Sequence, residues 1–494
     1  MKKARIIKVL QSMIYILPAV LCFSYFPVIS LGVAETMNFE LSLPLIWLAI
    51  FDVMSVIAVF KFKKTKVIAG KWWYYLFPFF ATLSVFWSEN KLRGALTLGV
   101  MWAVIIAIMA FAIMKREIFD ARFKKNFWKW FFGASLLACA WCWVQCLLDI
   151  FGVTRDYTLM CLGCTYQSFG FPHPNGFAIE PQFMGNLLLA PALIGAEMFV
   201  VTKQSDKVLE WKHLCGIFFI TSATLFLTFS RGAIYAFVVG LVFMSCRLVI
   251  KIKERKVIFK RIGLIWAVTV CSFLFTLNMQ GLMAVISPTN EGYLGGISRV
   301  ISQLSLGVIN LNLEGSRGED MVVEKPVENS VDSYVENFDR NVAERNNEST
   351  FDGYVPESTD TRVKLTSVAL EKWQSSKTNM LFGVGIGGAG QSLYDAGLID
   401  SPKEIVQNEY ASLLLEVGII GVLLIIVTAV TMCKWLWKKC GFQLVLPLII
   451  AYFVTLFFFS GLPNALHIYL LPPLVYMVSD CCLKGMKKPL LSKG

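Results

Sequence analysis

The feature that most constrains this chain is a succession of apolar runs, most of them about 20 residues long. As a helix, a run of that length crosses the hydrocarbon core of a bilayer, roughly 30 Å at 1.5 Å per residue. Twelve candidates stand out: 9–30, 41–60, 72–88, 94–114, 130–151, 183–201, 214–229, 232–250, 262–286, 410–433, 443–459 and 466–480. Composition points the same way, with 56% hydrophobic residues and 16% charged, unlike a soluble domain of this length. The expected fold class is an all-α polytopic membrane protein of about 12 transmembrane helices with one large extracytoplasmic loop.

Basic residues orient the runs. Seven segments, Lys2 to Lys8, Lys61 to Lys71, Lys115 to Lys129, Lys203 to Lys212, Arg247 to Arg261, Lys434 to Lys439 and Lys484 to Lys493, hold 32 of the 46 lysines and arginines. They fall at the two ends and at alternate connections, so the positive-inside rule puts both termini in the cytoplasm. The net charge of +12 is thereby a consequence of topology, and no basic face is left over for nucleic acid. The first run lacks a small-residue cleavage site and is expected to be retained as a helix. Of the thirteen cysteines most lie inside apolar runs, where they act as small hydrophobes. Cys161 and Cys164 form an isolated CxxC in an outside loop, expected as a local disulfide or two free thiols rather than a zinc site.

The organisation expected is therefore residues 1–286 with nine helices, including an outside loop at 152–182. A large extracytoplasmic loop follows at 287–409, then 410–494 with three helices and a cytoplasmic tail. The large loop carries ten basic against nineteen acidic residues. Its middle, 312–360, is acidic and poor in core residues and is expected to be mobile. Gly295 to Asn310, carrying Arg299, has the pattern of an amphipathic surface helix. Thr361 to Ser375, with Arg362 at its start, has near-helical apolar spacing.

Candidate chemistry gathers on the outer side. In 152–182, His173, Asn175 and Glu180 lie among prolines and glycines that exclude helix. Glu180, just before the sixth run, is either an exposed loop acid or a site residue; a lone loop histidine such as His173 is more often simply solvated. Arg231 sits in the short connection Thr228 to Gly232. It can snorkel to lipid phosphates, but its guanidinium also suits bidentate capture of a pyrophosphate, the favoured reading. The segment Gly383 to Gly390 contains GxGxxG without a surrounding βαβ unit, so a dinucleotide site is rejected. Its glycines instead let backbone approach a bulky substrate or another helix.

Gln407, Asn408 and Glu409 stand at the mouth of the tenth run, where free backbone N–H groups of the helix favour anions. Glu409, Leu413 and Glu416 share a face, and Gly418 and Gly421 form a close-packing notch. At its depth Glu416 should face a polar cavity or a basic partner. Asp52, in the second run, is expected to have a structural partner on a neighbouring helix.

Four pieces in this order resemble the O-antigen ligase and O-antigen polymerase superfamily of bacterial integral membrane glycosyltransferases. They are Glu180-Pro181 entering the sixth run, Ser230-Arg231-Gly232 between two runs, Arg362 and Trp373 ahead of Gly383-Val384-Gly385, and Gln407-Asn408 with Gly418 and Gly421. The resemblance is strong from about 170 to 425. Ligases of this family carry a histidine beside the asparagine, where this chain has Gln407, and glutamine cannot act as a base near neutral pH. That departure tilts the expectation toward a polymerase.

The resemblance implies residence in the bacterial cytoplasmic membrane and an undecaprenyl-diphosphate-linked oligosaccharide as donor. It implies a lipid-linked or surface glycan as acceptor, and assembly partners such as a chain-length regulator and a flippase. No metal or other cofactor is expected. Arg231, Arg362 and Arg299 would stabilise the pyrophosphate leaving group, and Glu409 or Glu180 would serve as base. Gln407, Asn408, His173 and Glu416 would shape the substrate site. The alternatives are a ligase passing the glycan to lipid A core or another surface acceptor, and a transporter or flippase with no enzymatic activity.

Overall fold

The computed structural model describes residues 3–24, 27–34, 37–62, 75–153, 155–161, 164–165, 171–178, 180–201, 210–251, 255–286, 292–305, 350–402, 406–436, 440–460 and 465–482. The helices of the first half are α1 (Lys3–Cys22), α2 (Leu43–Lys61), α3 (Leu76–Ser84), α4 (Lys91–Ile113), α5 (Lys115–Ile118), α6 (Ala121–Ile150), α7 (Arg155–Thr158), α8 (Pro181–Val201) and α9 (Trp211–Leu227). The second half has α10 (Arg231–Lys251), α11 (Arg255–Ile286), α12 (Gly292–Leu304), α13 (Thr350–Gln374), α14 (Lys377–Phe382), α15 (Ala389–Asp395), α16 (Glu409–Leu436), α17 (Cys440–Thr455) and α18 (Leu466–Cys482). Among the described residues eight helices are long and apolar enough to cross a membrane, and four shorter apolar ones complete the twelve runs. The chain is an all-α polytopic membrane protein, apart from one small hairpin.

That hairpin corrects the first run. Its helix ends at Cys22, and Pro27–Ala34 pairs antiparallel with Met37–Ser42. Pro27 has no N–H to continue a helix ladder. A second correction concerns the large loop, where residues 350–360 are helical and open α13. The rest of the stretch expected to be mobile, up to 349, lies outside the described residues. α12 forms where the amphipathic pattern predicted it, burying Gly295, Gly296, Val300, Ser302 and Gln303. Asp52 is buried, but its Oδ1 finds no hydrogen-bond partner among the described residues, so the structural partner expected for it is not seen at that atom.

α8 is the axis of the bundle. Every residue from Phe183 to Val200 is buried, and it packs on α9, α10 and α17. A helix that is apolar nearly all round, Asn186 and Glu197 apart, belongs in such a position. Gly185 makes the crossing close, because a Cβ there would meet Thr228, Ser230 and Ala233.

The glycine cluster proves to be a backbone crossing. Val384 N–H donates to Leu415 O and Gly385 N–H to Glu416 O, each at 2.9 Å. On the other side Ser88 Oγ donates to Ile386 O at 2.9 Å, and Ile386 N–H donates to Ser84 Oγ at 3.2 Å. The carbonyls in α16 are free to accept because Gly418 interrupts the helix at φ 60°, ψ −173°. Gly418 is thus a kink seated on the Leu381–Phe382 backbone, not one half of a helical notch with Gly421.

Gly385 combines φ +88° with a position where a Cβ would run into the Ser88 backbone. Gly385→Ala adds left-handed strain to a backbone clash and is expected to cost more than about 3 kcal/mol. The comparison is Gly99→Ala, at a helical position with nothing within 4 Å of the added methyl. Membrane yield and thermal unfolding in detergent should show Gly385→Ala far below Gly99→Ala; equal midpoints would refute the crossing.

Candidate functional site

α9 ends at Leu227 and α10 begins at Arg231, so three residues reverse the chain. Phe229 takes φ +48° to do it, a rare conformation for a non-glycine residue. The turn presses the Phe229 ring onto Phe171 at 4.9 Å and His173 at 5.2 Å between centroids. Phe171, Phe229, Leu277 and Val300 form one small buried cluster. It joins the loop before α8, the α9–α10 turn, α11 and α12. Arg231 is two residues beyond Phe229 and Arg299 immediately precedes Val300 in α12, so both arginines adjoin members of this cluster in the chain. Arg231 itself is only 8% exposed.

The next residue leads to a second junction. A Cβ at Gly232 would meet the Phe458 side chain, and Gln182 Nε2 donates to Phe458 O at 2.7 Å. In the same turn Leu456 O accepts from Glu409 N–H at 2.9 Å, and Ser460 Oγ donates to Glu409 Oε2 at 3.0 Å. Residues 456–460 therefore tie the starts of α8, α10 and α16 together. Asn408 caps α16, its Oδ1 accepting from the N–H groups of Tyr410 and Ala411 at 3.1 and 3.2 Å. Gln407 Oε1 accepts from Arg362 Nε at 2.7 Å, which fixes that guanidinium two residues from Glu409. The Gln407 side chain thus orients an arginine.

Glu416 lies within electrostatic reach of Arg93 and of Glu409, near the backbone N–H groups of Gly387 and Ala389. Glu180 is exposed, as the loop-acid alternative has it, while its backbone carbonyl accepts from Phe183 and Met184 at the start of α8. Cys161 and Cys164 form the disulfide alternative, and Cys164 O accepts from His173 N–H at 2.9 Å.

Three contributors escaped the sequence reading. Gln182 and Ser460 carried weak signals, a polar residue just after Glu180-Pro181 and a turn-forming serine after the eleventh run. Arg93 carried none, being one basic residue at the start of an apolar run.

His173 is buried rather than solvated. Burial first, and the nearby Arg231 charge second, push its imidazole down to about 3. It is neutral at physiological pH and too weak a base to take a proton from a sugar hydroxyl. In the unfolded chain the same imidazole takes up a proton near 6.5. Between those values the unfolded state binds more protons, so stability falls as pH drops from about 6.5 toward 3. The slope from this group is at most about 1.4 kcal/mol per pH unit. His173→Gln should flatten the dependence of the unfolding midpoint between pH 6.5 and 4.5; an unaltered slope would contradict the burial.

Residues 216–426 match the family described as O-antigen ligase. The match supports the resemblance to the O-antigen ligase and polymerase superfamily drawn from the sequence, and with it a membrane glycosyltransferase. It includes Arg231, Arg299, Arg362, Gln407, Asn408, Glu409 and Glu416, and leaves out His173 and Glu180. No curated protein matches the chain.

Proposed function

We propose that the chain is a surface-polysaccharide polymerase, moving a glycan from an undecaprenyl-diphosphate carrier to a sugar hydroxyl on a second lipid-linked repeat. The observation that carries this reading is the convergence of cationic and acidic groups at the two joined junctions. Arg231 and Arg299 adjoin members of one aromatic cluster in the chain, Glu409 is held by Ser460 at the adjoining turn, and Arg362 is oriented by Gln407, two residues before Glu409.

In the reaction the acceptor hydroxyl oxygen attacks the anomeric carbon of the donor. The new glycosidic bond forms as the bond from that carbon to the phosphate oxygen breaks, and the electron pair leaves on undecaprenyl diphosphate. Negative charge builds on the pyrophosphate, which Arg231, Arg362 and Arg299 would stabilise. The hydroxyl proton would pass to Glu409, whose carboxylate Ser460 holds in place. Gln407 favours a polymerase over a ligase, because it supplies no base and is occupied with Arg362.

The test is a gel of surface glycan from cells lacking the protein. Glycan arrested at one repeat, with the wild-type gene restoring the ladder, supports polymerisation. Full-length glycan left on its lipid carrier would replace this reading with the ligase. An unchanged ladder would overturn both.

A further inference from the structure

Near the aromatic cluster beside Arg231 lie buried hydrogen-bonding groups with no partner among the described residues. Gln280 lies between Leu277, which packs with Phe171 and Phe229, and Met283, which packs with Leu227. It is 1% exposed, and neither its Oε1 nor its Nε2 finds a partner among the described residues. Gln303 follows Val300 by three residues and shares a face of α12 with Arg299, four positions back. It is 3% exposed with Oε1 unpartnered among the described residues. The neighbouring Leu304 O accepts from Tyr235 OH at 2.9 Å, one turn along α10 from Arg231. Ser230, between Phe229 and Arg231, is 8% exposed with Oγ likewise unpartnered. Buried amides and hydroxyls are ordinarily satisfied, and three unsatisfied ones around one cluster need a cause.

We propose that Gln280, Gln303 and Ser230, with the rings of Phe171 and Phe229, form a saccharide subsite next to the pyrophosphate-binding arginines. This deepens the function proposed above and rests on it. The groups are neutral and combine donors with acceptors, which matches sugar hydroxyls; a phosphate would call for cations. Aromatic rings offer apolar faces on which the C–H side of a pyranose packs. The position, with Ser230 next to Arg231 and Gln303 one turn of α12 from Arg299, suits the sugar bonded directly to the pyrophosphate.

Two lipids test the subsite on the full-length protein in nanodiscs. One is sugar-free undecaprenyl diphosphate, the other the lipid-linked glycan extracted from cells lacking the protein. Gln280→Met and Gln303→Met keep side-chain volume and remove the amide. Each is expected to weaken binding of the glycan-bearing lipid about tenfold, with sugar-free lipid bound within twofold of wild type. Without lipid their melting temperatures should equal or exceed wild type, because an unsatisfied buried amide is lost. Unchanged binding of the glycan-bearing lipid, equal weakening for both lipids, or a lower melting temperature would each overturn the subsite alone. Wild-type protein binding neither lipid would overturn the pyrophosphate site as well.

Discussion

Arg231→Ala is expected to lower glycan transfer by about two to three orders of magnitude while the protein still accumulates in the membrane. The estimate comes from the usual cost of removing one preorganised group that stabilises transition-state charge in a shielded site. Arg231 meets both conditions. It is 8% exposed, and its backbone is fixed by the Phe229 turn on one side and the Gly232–Phe458 contact on the other. The adjacent His173 is held neutral, so it adds no competing positive charge at working pH. Because charge grows on the pyrophosphate as the bond breaks, the loss should fall mainly on kcat. Arg231→Lys keeps the charge but not the planar fork, so it should recover only part of the rate. Transfer measured on purified protein with extracted lipid-linked glycan checks this. A rate within threefold of wild type would remove Arg231 from the chemistry, and loss of folded protein from the membrane would assign it a structural role.

How far the sequence could lead is seen by comparing Arg231 with Glu416. Arg231 was legible because it stands in a connection too short to place it anywhere but at a helix end. Helix length and apolar content gave the twelve runs for the same reason: crossing a bilayer is a local property of about 20 consecutive residues. Glu416 needed long-range knowledge. Its surroundings are the Gly387 and Ala389 amides and Arg93, nearly 300 positions apart in the chain, brought together by a backbone crossing. The glycines announced a close approach but not its partner. Gly418 was read as part of a helical notch because helical spacing assumes an unbroken helix, and the break follows from contacts with Leu381 and Phe382. The hairpin at 27–42 was hidden by apolar content alone, which does not distinguish strand from helix in a short run.

A second large effect is expected at the opposite end of α10, where Arg247 lies sixteen residues, about 24 Å by helical rise, from Arg231. Arg247 Nη2 donates to Glu197 Oε1 in α8, and Nη1 donates to Gln443 O in α17 at 2.7 Å. Arg247 is 8% exposed and Glu197 2%, so water reaches neither to any extent. Removing one partner leaves a buried charge uncompensated, and Arg247→Met or Glu197→Leu alone should cost about 3–5 kcal/mol. The double substitution removes both charges and should be less destabilised than either single change, since two desolvation penalties vanish with the attraction. Unfolding midpoints at one fixed scan rate would show the order. Additive losses would mean the pair is not coupled and that α8, α10 and α17 are held by apolar packing alone. Molecules of the double variant that fold should transfer glycan at the wild-type rate, because the Arg231 turn and the 456–460 junction keep their contacts. Arg231→Ala should behave in the opposite way, folding normally and failing to transfer, so the two variants separate holding the bundle together from performing the chemistry.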